Sequence, residues 1–310
     1  MPNKPMNTNF QSIFNWTFVC IGIYLYLFVF IDKVMAQTIS LSITPPLLEV
    51  IIQPDKEIKQ TYTITNNGSD TLLKAKVVYF IPSDTDGNVE TTEVAAPEWV
   101  KYSKDIINLK ADEQKTFNVV INPPLDTPET DHFLTLVFET ATEQNNIGAN
   151  NTFYKTEIGS NILVAVSSDG NPKKSAEIIE FSAPRIIDSL STITYSLTLA
   201  NNGNSFWKPN GKIIIDDEKS LKIAPLNVLS GYSRKISCLE GDELKNCNTD
   251  PDFKIGIIKS KLEFRLDEES EVYNIETITY SFPFVLLFVI FILLTLIKLR
   301  TIFKVWKRKN

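Results

Sequence analysis

The feature that most constrains this chain of 310 residues is an apolar run near its C-terminus. From Phe282 to Ile297 every residue is apolar except Thr295, and Pro283 stands near the start. Tyr280–Leu299 is twenty residues long. As a helix this stretch would measure about 30 Å, which is the thickness of the hydrocarbon core of a bilayer. The run therefore predicts one transmembrane helix over residues 280–299.

Basic residues follow the predicted span, and no acidic residue stands among them. They are Lys298, Arg300, Lys304, Lys307, Arg308 and Lys309. Because basic clusters beside a span stay on the cytoplasmic side, we expect these residues to orient the helix in a plasma membrane. Residues 300–310 then form a cytoplasmic tail, and the residues before the span form an ectodomain outside the cell.

A second apolar run, Phe14–Ile31, lies close to the N-terminus. Lys4 precedes it, and it is followed by Val34-Met35-Ala36, which has small residues at the positions that signal peptidase reads. Residues 1–36 are therefore predicted to be a signal peptide, or a signal anchor if they are not cleaved. Both alternatives deliver the next residues to the outside.

The predicted ectodomain is acidic. The whole chain has a net charge of −6, the first 36 residues contribute +1 and the six basic residues of the tail contribute +6, which leaves −13 for residues 37–279. A charge of this sign repels the phosphate backbone, so nucleic acid is not expected as a partner.

Strand patterns fill the ectodomain. Thr61-Tyr62-Thr63-Ile64-Thr65 alternates apolar and polar residues, as a strand does when one face is buried. Pro45-Pro46 prevents a continuous first strand, as happens where an edge strand changes sheets. The strands expected in the first unit are Ile39–Ile43, Leu47–Ile52, Lys59–Thr65, Thr71–Ile81, Ile106–Leu109, Lys115–Ile121, His132–Glu139 and Tyr154–Val166. This number of short strands is typical of an immunoglobulin-like sandwich.

A second unit repeats two landmarks of the first. The strand Thr61–Thr65 leads into Asn66-Asn67-Gly68, and Thr194–Ala200 leads into Asn201-Asn202-Gly203. Later, the turn and strand that begin at Leu109 have a counterpart that begins at Leu229. The predicted fold class is therefore all-β, with two tandem immunoglobulin-like sandwiches, residues 37–168 and 171–279, before the transmembrane helix.

Two long connections of the first unit, Pro82–Lys104 and Asn122–Asp131, are where a binding site is expected, because long loops on a rigid scaffold often bind ligands. The candidate partner-binding residues are Asp84, Asp86, Trp99 and Tyr102. The two aromatic residues could contact an envelope glycan or a surface protein, or could instead belong to the core. Asp84-Thr85-Asp86-Gly87 resembles part of a calcium loop, but the first ligand position holds Pro82, so a hairpin turn is the simpler interpretation and no metal site is assigned.

The reactive side chains give no catalytic pattern. His132 is the only histidine, and the chain has no Gly-rich phosphate loop, no His-Glu-x-x-His and no Cys-x-x-Cys. We therefore assign no catalytic residue, metal or cofactor. Cys20 lies in the first apolar run, so Cys238 and Cys247 are the pair that could form a disulfide bond in an exported domain, although their spacing alone leaves this open.

The order of parts resembles that of the bacterial WxL-interacting cell-surface proteins. The residues that carry the resemblance are Thr63-Ile64-Thr65-Asn66-Asn67-Gly68 and Asp86-Gly87-Asn88, together with the second sandwich, the span and the basic tail. The resemblance implies a first domain that binds peptidoglycan and a second that binds a partner or host. The first sandwich is also similar to the N-terminal domain of pilus chaperones, although this chain lacks their matching pair of basic residues and adds a C-terminal span.

These observations predict a non-enzymatic surface protein of binding or adhesion type, anchored in the membrane by one helix. The alternative is a structural role, in which the two domains act as a spacer or as an accessory subunit of a membrane complex that assembles through the helix and the basic tail.

Overall fold

A computed structural model describes residues 40–140, 156–249, 253–268 and 270–309. The predicted signal peptide or signal anchor, residues 1–36, lies outside the described residues. The described chain forms two β-sandwiches in tandem and one apolar helix, α1 (Phe284–Lys309). The predicted fold class, two immunoglobulin-like sandwiches followed by a C-terminal apolar helix, is confirmed.

The first sandwich is built from ten strands. They are β1 (Leu41–Thr44), β2 (Leu47–Ile52), β3 (Ile58–Asn66), β4 (Thr71–Pro82), β5 (Val89–Ala95), β6 (Val100–Tyr102), β7 (Ile106–Leu109), β8 (Gln114–Ile121), β9 (Asp131–Thr140) and β10 (Glu157–Val166). One sheet has the order β1-β3-β8-β6, and the other has the order β2-β10-β9-β4-β5 with β7 paired to β4. β1 pairs with β3 and β2 pairs with β10, so the chain changes sheets at Pro45-Pro46 as predicted.

The core of the first sandwich lies between its two sheets. Tyr62 and Ile64, on the buried face of β3, are inaccessible to solvent. Phe117 of β8 meets Phe138 of β9 edge to face, with 5.0 Å between the ring centroids. β3 and β8 bury every second side chain in this core, as the alternation predicted, whereas β9 and β10 each bury a run of five consecutive residues.

The region Pro82–Lys104, predicted as a long loop, instead contains the strands β5 and β6. β5 has no buried residue, so its sequence shows no apolar alternation. β6 is only three residues long. Neither strand therefore has the pattern on which the sequence-based prediction depends.

The second sandwich contains eleven strands. They are β11 (Ala176–Ser182), β12 (Ile186–Asp188), β13 (Ile193–Asn201), β14 (Asn210–Ile215), β15 (Lys219–Ile223), β16 (Ser233–Lys235), β17 (Cys238–Glu240), β18 (Glu243–Lys245), β19 (Cys247–Thr249), β20 (Gly256–Arg265) and β21 (Tyr273–Phe282). The larger sheet has the order β12-β21-β20-β14-β15-β17-β18. β11, β16 and β19 pair around β13 on the opposite side, and Trp207 is buried in the core between the sheets.

The last strand leads almost directly into the helix. β21 ends at Phe282 and α1 begins at Phe284, so only Pro283 lies between them. The helix thus starts four residues later than the sequence predicted, because Tyr280–Phe282 pairs with β12 instead of entering the helix. Among the described residues, Phe284–Lys304 is the one helical stretch that is long and apolar enough to cross a membrane, and none of its side chains is buried.

Candidate functional site

The first candidate residue, Asp84, caps its own hairpin turn. Its Oδ1 accepts hydrogen bonds from the backbone amides of Asp86, Gly87 and Asn88 at 2.9 to 3.1 Å. Its Oδ2 accepts a bond from Asn88 Nδ2 at 2.6 Å. The bond from the Asn88 side chain is the main cause that lowers the pKa of Asp84. Both carboxylate oxygens are therefore engaged within the turn between β4 and β5, while Asp86 stays exposed.

The same turn contacts the second domain. The backbone carbonyl of Thr85 accepts a hydrogen bond from the amide of Lys235 at 2.8 Å. The guanidinium of Arg234 lies against Gly87, so closely that a Cβ atom at this position would clash with Nη2. Arg234 Nη1 also donates to the carbonyl of Asn227 at 2.7 Å. Burial lowers the pKa of Arg234, and the charge of Asp84 opposes this effect.

Two acidic residues extend the interdomain contact. Glu49 of β2 accepts bonds from Lys208 Nζ at 2.7 Å and from Asn227 Nδ2 at 2.5 Å. Asp131, at the start of β9, accepts a bond from the backbone amide of Phe206 at 2.6 Å. Burial raises the pKa of Asp131 to about 6, although hydrogen bonds from the second domain act in the opposite direction. The domains are thus joined by polar contacts at separate points.

A cleft of about 230 Å³ remains between these contacts. Its walls combine apolar side chains of both domains, among them Leu47, Phe80 and Leu229, with polar and charged ones such as Asp84 and Arg234. The ring of Tyr232 meets that of Phe133 at 6.3 Å across the domain boundary. Pockets for small molecules usually measure roughly 300–1,000 Å³, so this cleft is small for one.

The two candidate aromatic residues lie within the structure of the first sandwich. Trp99 is half-buried and meets the ring of His132 edge to face at 5.0 Å. Tyr102 is half-buried and stacks on Phe117 at 5.9 Å. His132 in turn bonds the hydroxyl of Tyr79 through Nδ1 at 3.0 Å, and burial lowers its pKa. The two rings pack against the core and form no shared platform with Asp84 and Asp86.

Sequence reasoning missed β5, which is the most exposed strand of the first domain. It forms the end of the sheet order β2-β10-β9-β4-β5, and no further strand among the described residues pairs with it. Val89 and Val94 are both exposed large apolar residues of this strand. An unpaired edge offers a row of backbone donors and acceptors to another extended chain.

In the second domain, Cys238 and Cys247 form a disulfide bond with an S–S distance of 2.06 Å. The bond joins β17 to β19, and both cysteines are buried in the core. An open groove beside this pair is lined by residues of both charges, among them Lys212, Lys222 and Glu263. The mixed charges do not select one kind of ligand.

The residues predicted to orient the membrane helix lie along its last turns. Lys298, Arg300 and Lys304 are exposed on α1. Lys307, Arg308 and Lys309 belong to the final turn of the same helix, so the basic tail continues the helix instead of forming a separate segment.

Comparisons with known proteins find likeness of fold. No model of a known protein family matches this chain, and no curated protein matches it. No family match therefore supports the resemblance to the WxL-interacting proteins.

Several solved structures share the two-domain, immunoglobulin-like arrangement. The class 5 fimbriae chaperone CfaA is 12% identical with a TM-score of 0.37, and the match covers 78% of this chain and 100% of that one. The E. coli chaperone DraB is 12% identical with a TM-score of 0.38, over 78% and 99% of the two chains. A structure of the Salmonella enterica SafA pilin in complex with the SafB chaperone gives 12% identity and a TM-score of 0.39, over 78% and 98%. At these values the likeness concerns the fold alone.

Proposed function

We propose that this chain is a non-enzymatic binding protein, anchored in a membrane by α1, whose first domain captures an extended segment of a protein partner along β5. The observation that carries the proposal is the exposed edge of β5. Strand addition to such an edge is a common way to bind an extended peptide, because the backbone hydrogen bonds supply affinity.

The backbone of β5 presents groups that point away from β4. The amide of Ser83 donates to the carbonyl of Asn88, and the next pairs along the hairpin are Pro82 with Val89, Ile81 with Glu90, and Phe80 with Thr91. Hydrogen-bonded and non-hydrogen-bonded pairs alternate in an antiparallel ladder. Val89 and Thr91 therefore occupy non-hydrogen-bonded positions, and their N–H groups face outwards.

The side chains of β5 favour a partner over a protected edge. Natural edge strands are often blocked by Lys, Pro or a β-bulge. β5 contains neither Lys nor Pro, and its register shift lies beyond Thr91, so Val89–Thr91 keeps a regular edge. Glu90 and Glu93 are exposed, so a segment that carries basic side chains would complement the strand. This favours a protein over a glycan, since Trp99 and Tyr102 already pack against the core.

The anchor is supported by the composition of α1 and by the charge at its end. Phe284–Lys304 is 21 residues long, enough to cross a hydrocarbon core of about 30 Å. The basic residues that follow favour a cytoplasmic C-terminus, which would place both sandwiches outside. A disulfide between Cys238 and Cys247 suits an oxidising compartment.

The interdomain polar groups support binding over catalysis. Asp131, whose pKa is raised to about 6, accepts a bond from the Phe206 amide at the domain boundary. Arg234 donates to the Asn227 carbonyl and lies against Gly87. Both groups are therefore engaged in contacts at the domain boundary.

The test uses the full chain in its native membranes, with a photo-crosslinking residue at the exposed position Glu93. In this background, Thr91→Pro removes one outward N–H and leaves the β4 pairing intact, because proline is tolerated at edge positions whose N–H faces solvent. Thr91→Ala is the matched control, since it removes the side chain and keeps the amide. We expect Thr91→Pro to reduce the crosslinked partner by about ten-fold and Thr91→Ala to preserve it.

Equal capture by both variants would remove β5 from the proposal. If capture is independent of β5 but disappears when α1 is replaced by an unrelated apolar helix, the alternative of an accessory subunit assembled through the span gains support.

A further inference from the structure

Exposed apolar residues surround the point where the second domain meets α1. We call the following seven residues the apolar collar: Ile186, Leu190, Phe253, Ile255, Ile257, Tyr280 and Phe282. Between 44% and 67% of the surface of each residue is exposed. Contiguous exposed apolar residues of this kind usually mark a surface that meets a partner or a membrane.

Strand pairing and hydrogen bonds hold the collar in place. Ile186 and Ile257 are the two register partners of Tyr280, one on each side of β21. The hydroxyl of Ser281 donates to the Lys254 carbonyl at 2.7 Å, so the segment before β20 is tied to β21. The amide of Ser189 donates to the Phe282 carbonyl at 3.1 Å. The collar is therefore carried by the three neighbouring strands β12, β20 and β21 and by the segments that adjoin them.

The first turn of α1 is joined to the same sheet. Asp188, at the end of β12, accepts a hydrogen bond from the amide of Val285 at 2.8 Å and another from the amide of Leu190 at 3.0 Å. The first of these bonds is the main cause that lowers the pKa of Asp188. With only Pro283 between β21 and α1, no linker separates the collar from the start of the helix.

Polarity changes with distance from the helix along the outer face of the sheet. The row next to the helix pairs Phe282 with Asp188, whose carboxylate accepts the bond from the Val285 amide. The following row is Ile186, Tyr280 and Ile257. The next row on that face pairs Ile278 with Lys259, and the one after it pairs Glu276 with Lys261. Each row is about 7 Å further along the strands, since a strand rises about 3.4 Å per residue. The surface thus passes from apolar to charged within about 14 Å.

We propose that the apolar collar inserts into the interfacial layer of the bilayer around α1, so that the base of the second domain rests in the membrane. This inference rests on the membrane anchor of the proposed function. Interfacial segments bury their apolar face about 5–10 Å into the headgroup region, and the two rows nearest the helix, with Phe282 in the first and Ile186, Tyr280 and Ile257 in the second, span about 7 Å. A tyrosine such as Tyr280 suits this layer because its ring is apolar and its hydroxyl polar.

The bilayer is the occupant that the geometry favours. A membrane that α1 crosses must meet the protein where the helix begins, and that is the place that the collar surrounds. A soluble partner would have to compete with the lipid for this surface. The charged rows that begin at Lys259 are where the domain would leave the interface.

The experiment measures depth in the full chain reconstituted in phosphatidylcholine vesicles. In a Cys20→Ser background, single cysteines replace Leu190 or Ile255 of the collar, Ile290 of the helix, or Leu244, and each is labelled with an environment-sensitive fluorophore. Leu244 is the matched control, because it is an exposed leucine of the same domain in β18. Two lipids carry a nitroxide quencher, one near the headgroup and one near the bilayer centre.

We expect the shallow quencher to reduce fluorescence at Leu190 and Ile255 at least about two-fold more than at Leu244, and the deep quencher to act most strongly at Ile290. The double variant Ile186→Asp and Ile257→Asp should weaken shallow quenching at Leu190. Lys222→Asp, which adds the same acidic side chain at an exposed position outside the collar, is the matched control and should leave that quenching unchanged.

Quenching at Ile290 with none at Leu190 and Ile255 beyond the Leu244 level would overturn the collar and leave the anchor intact. If Ile290 is not quenched either, the anchor is wrong and the collar is overturned with it.

Discussion

Asn66 and Asn201 make equivalent hydrogen bonds in the two sandwiches. Each is the buried last residue of a strand, β3 or β13, and each begins an Asn-Asn-Gly sequence. The Oδ1 of Asn66 accepts a bond from the Gly68 amide at 3.0 Å, and the Oδ1 of Asn201 accepts one from the Gly203 amide at 2.9 Å. The repeated sequence is thus a repeated set of hydrogen bonds.

The side-chain amides of these residues also explain why the second landmark accompanies the first. Asn66 Nδ2 donates to the carbonyl of Lys110 at 3.1 Å, and Asn201 Nδ2 donates to that of Val228 at 2.8 Å. Lys110 lies before β8, which pairs with β3, and Val228 lies before β16, which pairs with β13. The two landmarks of each unit are therefore in contact in the folded chain.

The first prediction concerns Asn201. Asn201→Ala removes both donated bonds, so the carbonyl of Ser205 loses this partner and that of Val228 keeps only the bond from the Trp207 amide. We expect the free energy of unfolding to fall by about 2–4 kcal/mol, because unsatisfied buried polar groups are costly. Urea denaturation measures this loss. Asn202→Ala is the control, since that side chain bonds Glu177 at an exposed site, and it should cost about 0.5 kcal/mol or less. Equal losses in the two variants would contradict the role given to Asn201.

The second prediction concerns Asp131 and pH. Burial raises its pKa from 3.8 to about 6, so the folded chain binds the proton more tightly than the unfolded chain. The contribution of this group to stability therefore falls as the pH rises from about 4 to about 6, and the cost is complete above that range. We expect Asp131→Asn to stabilise the protein at neutral pH by about 1–3 kcal/mol, and the gain to vanish near pH 4.

Thermal unfolding at several pH values measures this difference. Asp126→Asn, an exposed carboxylate of the same connection, is the control and should change little at any of them. A gain for Asp131→Asn that does not depend on pH would show that the buried charge is not its cause.

The third prediction concerns Arg234, which joins the domains through its contacts with Gly87 and Asn227. Arg234→Ala should weaken the coupling between the domains by about 1–3 kcal/mol, the usual cost of losing a bond to a charged group. Calorimetry should then resolve two unfolding transitions, one for each domain. In the natural chain these transitions should lie closer together in temperature or coincide. Arg185→Ala removes an exposed arginine beside β12, next to the end of β21, and should leave the profile unchanged. Identical profiles for all three proteins would refute the coupling.

The fourth prediction concerns the disulfide between Cys238 and Cys247. The two residues are nine apart, so their bond closes a short loop. By the loop-entropy estimate, replacing both with alanine should cost about 2–3 kcal/mol. Urea denaturation with and without reductant measures this cost. Reductant should destabilise the natural chain by a similar amount and leave the double alanine variant unaffected; the same response from both would exclude the bond as the cause.

The strands that bury a face could be predicted from the sequence, because burial imposes a visible alternation of apolar and polar residues. β2, β4 and β7 lie within one residue of their predicted bounds. β5 was missed because none of its residues is buried, and it is held only by pairing to β4. The start of α1 was placed too early for a related reason, since apolar composition does not reveal that Tyr280 pairs with Ile186 and Ile257.

The candidate site was harder to predict, since its contacts join residues far apart in the chain. The sequence around Asp84 indicates a turn, and the turn is present. Nothing local to it shows that Arg234, in another domain, lies against Gly87. Trp99 and Tyr102 had two open interpretations, and the structure packs both against the core of the first sandwich.

The single residue between β21 and α1 has a mechanical consequence. A load applied to the first domain by a captured partner would reach the helix through Pro283 without any slack tether to absorb it. Because β21 lies between β12 and β20, a pull along its axis would strain both ladders at once, instead of opening one bond at a time. With the proposed anchor and partner site, this connection would hold a partner at a fixed height and transmit tension directly into the membrane.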